Sequence, residues 1–158
     1  MASLQPQQSA EPPVRQFDLE NFLPYQLAVL AARVSREFSE NYHQRFGLSI
    51  PEWRVVAHLA QSDKPLSVRE IHARVDMDKS KVSRAATRLE TAGYVTKRPH
   101  PEDKRLVELS LSDRGRAMMA ELAPLAEAYE KEVLAALGDQ GPAFREALRA
   151  LLAAPQRH

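Results

Sequence analysis

Between Gly47 and Gly93 the chain carries three helix-start signals in close succession, and their spacing limits the possible folds more than any other feature. Ser49-Ile50-Pro51-Glu52 and Ser67-Val68-Arg69-Glu70 both have the Ser-x-x-Glu form of a capping box, the first with proline in the opening turn. Asp78 is the third start. Apolar residues at helical spacing follow each: Val55, Val56 and Leu59, then Ile71 and Val75, then Val82, Ala85, Ala86 and Leu89 before Gly93. Only Asp76-Met77 separates the helix opened at Ser67 from the fourth helix, opened at Asp78, which is the layout of a helix-turn-helix. Past Gly93 the period changes to two. Tyr94 to Arg98 and Arg105 to Leu111 read as strands, with Val107, Leu109 and Leu111 on one face, joined by the polar loop Pro99-His100-Pro101-Glu102-Asp103-Lys104.

Long amphipathic helices flank this unit. Leu19, Phe22, Leu23, Leu27, Leu30, Val34, Phe38, Tyr42 and Phe46 recur at steps of three and four, and Pro24 marks where the regular helix begins. Ser112 caps a second long helix carrying Met118, Met119, Leu122, Leu125, Tyr129, Val133 and Leu137, and after Gly138 a last helix from Pro142 holds Phe144, Leu148, Leu151 and Leu152. The apolar residues of the first and last helices exceed what one small module can cover, which predicts a homodimer. Residues 1–16, rich in Gln, Pro and Ser, and residues 154–158 read as tails, the first of them disordered.

The net charge of +1 hides a local excess. From Ser67 to Arg105 there are ten Lys/Arg against six Asp/Glu, a net +4, leaving 12 against 15 elsewhere, a net −3. A basic segment on a mildly acidic body is the footprint of a phosphate-binding face. The predicted fourth helix sharpens this. Its inner stripe is small, while Ser80, Lys81, Ser83, Arg84, Thr87 and Arg88 occupy the opposite side, all hydrogen-bond donors suited to phosphates and major-groove base edges. The hairpin adds Lys97 and Arg98 at its base and Lys104 and Arg105 beyond the loop, a ribbon able to place a guanidinium in a narrow minor groove. Asp103 is expected to orient Arg105 by an ion pair.

Taken together, Leu66-Ser67-Val68-Arg69-Glu70-Ile71, Asp78-Lys79-Ser80-Lys81-Val82-Ser83-Arg84, Arg88-Leu89-Glu90 before Gly93, Pro101-Glu102-Asp103-Lys104-Arg105 and Leu109-Ser110-Leu111-Ser112 resemble the MarR family of transcription regulators. The resemblance spans roughly residues 18 to 153. It implies a mainly α fold with a small β-hairpin wing, a winged helix-turn-helix over about 50–111 set between dimerisation helices at about 17–46 and 112–153, in a single domain from 17 to 153. It further implies a homodimer binding double-stranded DNA at a pseudo-palindromic operator, with half-sites one helical turn, ~34 Å, apart. The DNA-contact set is then Ser67, Lys79, Ser80, Lys81, Ser83, Arg84, Thr87, Arg88, Arg98, Asp103, Lys104 and Arg105.

The family's small-molecule pocket lies between the dimerisation helices and the winged module. The residues expected to line it here are Phe22, Tyr25, Arg36, Tyr42, Trp53 and His58, aromatic and basic groups near the first two helices that suit an aromatic acid. The stretch from Phe38 through Tyr42 with Phe46 through Arg54 resembles members controlling aromatic-acid catabolism, some of which answer to hydroxycinnamoyl-CoA thioesters. The expected effector is accordingly a small aromatic acid or an acyl-CoA, acting on a repressor.

The sequence also excludes. No apolar run approaches the ~20 residues of a membrane span and no secretory signal opens the chain, so a cytoplasmic protein is expected. With no cysteine there is no disulfide, thiolate metal site or thiol switch. No Gly-rich phosphate loop is present, and the five histidines are scattered without carboxylate partners at ligand spacing, so neither an enzyme, a metal nor a cofactor is expected. The alternative is an architectural DNA-binding protein without a ligand.

Overall fold

A computed structural model describes residues 17–155; both the N-terminal tail of residues 1–16 and the last three residues lie outside the described part. Six α-helices appear in it: α1 Leu23–Phe46, α2 Ile50–Ala60, α3 Val68–Arg74, α4 Lys79–Thr91, α5 Asp113–Ala135 and α6 Gly141–Ala153. Three strands accompany them, β1 Leu66–Ser67, β2 Val95–Pro99 and β3 Val107–Leu111. The described residues form two compact units, one running to Arg33 and the other beginning at Val34.

In the first unit α1 begins one residue before Pro24, as its fixed φ favours. Just upstream, Asn21 donates its amide and its Nδ2 to the two carboxylate oxygens of Asp18, at 3.2 and 2.7 Å, and Phe17 meets Phe22 edge-on at 5.2 Å. The apolar side chains here are largely in solvent: Phe17 is 67% exposed and Leu23 57%.

The second unit holds the core. Both capping boxes form as the spacing predicts: the Ser49 amide donates to Glu52 Oε2 at 2.7 Å, and the Ser67 amide donates to Glu70 Oε2 at 2.7 Å while Ser67 Oγ accepts the Glu70 amide at 3.1 Å. Those bonds from Ser67 hold the Glu70 carboxyl below its ordinary range. Asp78 occupies the N-cap position of α4, but its carboxylate makes no cap bond and reaches Lys81 Nζ instead, at 3.6 Å. Val82, Ala85, Ala86 and Leu89 pack inward against Val55, Val56, Leu59 and Ile71, so the small stripe allows α4 to lie close to α2 and α3. Ser112 caps α5 doubly, its Oγ accepting the Gly115 amide at 3.0 Å and donating to the Gly93 carbonyl at 2.6 Å.

The wing departs from a simple hairpin. β3 pairs antiparallel with β2, Val95 opposite Leu111 through Pro99 opposite Val107, but also with β1, Leu66 opposite Leu109. The order is β1-β3-β2. A two-residue strand has no alternation to read, so β1 escapes the sequence pattern and shows only once β3 supplies its partner. Val107, expected on the buried face with Leu109 and Leu111, is 41% exposed because it lies past the last core contact of the strand.

Candidate nucleic-acid interface

The outer face of α4 is wholly solvent-exposed: Lys79, Ser80, Lys81, Ser83, Arg84, Thr87 and Arg88 all lie there, opposite the buried stripe. This follows from helical geometry, since positions 82, 85, 86 and 89 take one face and leave the remainder outward. Arg98, Asp103, Lys104 and Arg105 are exposed on the wing. Ser67 is different. It is 5% exposed, and its hydroxyl accepts the Glu70 amide at the start of α3, so it is buried as a cap and does not share the exposed face.

Internal bonds sort this set. Thr87 Oγ1 donates to the Ser83 carbonyl at 3.1 Å and accepts from Lys97 Nζ at 3.0 Å; the same ammonium pairs with Glu90 at 2.9 Å. Lys97 therefore ties β2 to the end of α4, which sequence spacing does not reveal because the partners are seven and ten residues away in a different element. Arg88 stands 3.9 Å from Glu52 Oε1, whose other oxygen accepts the Ser49 amide; the carboxylate is nearly buried and the guanidinium largely exposed. Among the described residues Arg84, Arg98, Lys104 and Arg105 have no ion-pair partner, so their donors face outward.

At the wing tip the expected Asp103–Arg105 ion pair is replaced by a backbone bond: Asp103 Oδ1 accepts the Arg105 amide at 3.0 Å. With a side chain so short and only one residue between, the local Asx-type turn is closer than the guanidinium. His100, which the sequence offered no reason to single out, organises the rest. Its Nδ1 lies 3.2 Å from the amides of both Glu102 and Asp103, and its Nε2 is 3.5 Å from Glu108 Oε1.

The residues expected to line a ligand pocket separate. Tyr42 and Trp53 stack at 5.3 Å, with Phe38 edge-on to both and Tyr129 stacked on Phe38 at 5.4 Å. Phe38 and Tyr129 complete this group although the sequence marked them only as core. Tyr129 Oη donates to the Val34 carbonyl and to Glu37, each at 3.1 Å. Tyr42 is wholly buried, its hydroxyl has no hydrogen-bond partner among the described residues, and burial pushes its phenol up to about 12. His58 is half-buried on α2; burial and the Arg74 guanidinium of α3 favour its neutral form. Arg36 is exposed, its carbonyl accepting the Ser39 hydroxyl at 2.6 Å. Phe22 and Tyr25 belong to the first unit, both partly in solvent.

Three comparisons bear on this arrangement. The sequence profile of the MarR family matches residues 46–106. An uncharacterised helix-turn-helix transcriptional regulator of Bacillus subtilis, YdgJ, is 30% identical over 89 residues, covering 56% of this chain and 54% of that protein, so the chain spans about half its length. Among solved structures, the MarR family transcriptional regulator SPO1453 from Silicibacter pomeroyi shares 28% identity with a TM-score of 0.74, covering 87% of this chain and 97% of that one. Bordetella bronchiseptica BpsR, whose DNA binding is regulated by 6-hydroxynicotinic acid, has the same fold at 20% identity and a TM-score of 0.74, covering 89% of this chain and 99% of that one. The family profile thus matches the segment bearing the close-packed helices and the wing, and the chain has the winged helix fold of those solved structures.

Proposed function

We propose that the chain is a sequence-specific DNA-binding transcription regulator and not an enzyme, acting as a homodimer with α4 in the major groove and the wing tip in the minor groove. The observation that carries this is the division of α4: four small or apolar residues buried, and a continuous outer face of Lys, Ser, Arg and Thr in solvent. Arg84 sits centrally on it, its guanidinium suited to the O6 and N7 edge of guanine. Arg98, Lys104 and Arg105 lie on a ribbon that extends the contact along the duplex. Homodimerisation is supported by apolar side chains left in solvent, Leu19, Phe22 and Leu23 at one end of the chain and Leu148, Leu151 and Leu152 at the other.

The reading extends to regulation. With no cysteine in the sequence and no cluster of metal ligands among the described residues, a small organic effector is the remaining signal, and an aromatic acid or its CoA thioester releasing a repressor is the form we favour. Its support is the Phe38–Tyr42–Trp53–Tyr129 group with the partnerless Tyr42 hydroxyl, together with the aromatic acid that governs BpsR. Such an effector releases DNA only if it binds better to a spacing of the two α4 helices that no longer fits the operator.

Selection from a pool of random duplexes tests the first part. A regulator enriches one pseudo-palindrome and binds it ~10³-fold or more tightly than random DNA at physiological salt; affinity without enrichment identifies an architectural protein instead. Titrating aromatic acids and acyl-CoA thioesters into the selected complex tests the second, with Trp53→Ala expected to blunt release while leaving DNA binding intact. A panel in which no compound changes the affinity removes the effector assignment.

A further inference from the structure

The wing tip is built around one imidazole. His100 follows β2, and its backbone amide donates to the Leu106 carbonyl at 2.9 Å, while the Leu106 amide donates to the Asp103 carbonyl at 2.9 Å. Within that turn the Glu102 and Asp103 amides both point at His100 Nδ1, each at 3.2 Å. A backbone amide has only a proton to offer, so Nδ1 must present its lone pair. The ring is then the neutral tautomer carrying its proton on Nε2, and that proton faces Glu108 Oε1 of β3 at 3.5 Å. Asp103, held by its own amide, accepts the Arg105 amide on Oδ1 and so passes the constraint on to the wing's arginine.

We propose that neutral His100 is a positioning residue for the wing, and that a proton on its Nδ1 releases the tip that carries Lys104 and Arg105. Protonation turns the acceptor into a donor, so two amide bonds are lost at once and two N–H dipoles are set against an N–H cation. The charged groups on the surrounding elements are Arg98 on β2, Glu108 on β3, and Glu102, Asp103, Lys104 and Arg105 in the loop. The consequence for DNA has an unusual sign. Adding positive charge near a duplex ordinarily tightens binding, but here acid disorders the wing and loosens it. This step rests on the DNA-binding reading above; the state of the imidazole does not.

Two isosteres separate the roles of the two ring nitrogens. Asn in His100→Asn places an uncharged oxygen near the Nδ1 position and cannot be protonated, whereas Gln in His100→Gln reaches the Nε2 position and leaves the two amides without an acceptor. In the DNA-free full chain, 15N NMR between about pH 8 and about pH 5.5, where imidazoles take up protons, should show the Nε2–H tautomer at the upper end. The Glu102 and Asp103 amide shifts should then move together with the His100 titration, and stay still in His100→Asn. An Nδ1–H tautomer, or amides that ignore the titration, overturns the proposal whether or not the protein binds DNA. With a selected duplex at constant salt, wild-type affinity should fall on the order of fivefold across that range from the loss of these bonds. His100→Asn should hold its affinity, and His100→Gln should be weak throughout. Equal pH profiles for wild type and His100→Asn, or wild-type affinity in His100→Gln, refute the coupling to the wing. If no duplex is selected, the DNA-binding reading has failed while the NMR outcome still decides the state of His100.

Discussion

Substituting alanine at Gly115 should unfold the protein more easily than any surface change of that size. Gly115 lies in the first turn of α5, and a Cβ built there falls 2.1 Å from the Tyr94 carbonyl oxygen and 3.2 Å from Leu111 Cδ2. Non-bonded heavy atoms prefer about 3.5 Å or more, so the backbone must separate by more than about 1 Å. Three bonds meet at that joint. The Ser112 amide donates to the same Tyr94 carbonyl at 3.0 Å, Ser112 Oγ donates to Gly93 O at 2.6 Å, and the Gly115 amide donates to Ser112 Oγ at 3.0 Å. Overpacking costs about 1–3 kcal/mol. Losing two of these bonds adds roughly 2 kcal/mol, and alanine's better helix propensity returns up to about 1 kcal/mol. The net destabilisation is about 2–4 kcal/mol, or a Tm lower by roughly 5–15 °C for a chain of this size. Urea unfolding followed by circular dichroism measures it. Gly47→Ala is the contrast: its φ is +68° with open space around it, so only backbone strain opposes the methyl, at about 1 kcal/mol. If Gly115→Ala unfolds within about 0.5 kcal/mol of wild type, the close approach of α5 to the wing is not as described.

Arg84→Ala should cost ~1–3 kcal/mol on a selected duplex and relax sequence preference, whereas Lys81→Ala, already paired with Asp78, should weaken binding evenly and lower the salt slope by about one; filter binding at several salt concentrations distinguishes them, and unchanged isotherms remove either residue from the contact set. Tyr42→Phe deletes a buried, partnerless hydroxyl and should stabilise by about 1 kcal/mol. It should also raise the alkaline unfolding midpoint: the native phenol near 12 against the ordinary 10 means the native state holds that proton more firmly, so its contribution is intact below pH 10 and disappears as pH rises through 12. Identical alkaline transitions in the two proteins would show that Tyr42 ionises freely in the native state. Ending the chain after Leu137 removes Leu148, Leu151 and Leu152 and should give monomer or aggregate by light scattering; a soluble truncated dimer binding DNA at full strength contradicts the interface.

Helix starts and faces were legible from residues alone, because a Ser-x-x-Glu box and a 3.6-residue stripe act over one or two turns and need nothing distant. The boxes at Ser49 and Ser67, the buried line from Val82 to Leu89 and the outward donors of α4 all stand where local rules put them. The resemblance to the MarR family added the pseudo-palindromic operator and the place of a ligand pocket. What the tertiary structure decided is which polar groups remain available. Ser67 is buried as a cap, Lys97 is held by Glu90 and Thr87, Arg88 shares Glu52 with the start of α2, and Asp103 serves the Arg105 amide and not its guanidinium. Lys97 and Arg88 join elements distant along the chain, and the pairing of β1 with β3 crosses more than forty residues. His100 makes the point at short range: its neighbours are two and three residues away, yet only the turn closed by Leu106 and the strand bearing Glu108 aim both amides at one nitrogen. A sequence states which donors and acceptors exist, and close packing in three dimensions chooses their partners, because each hydrogen-bonding direction fits only the group that the fold brings to it.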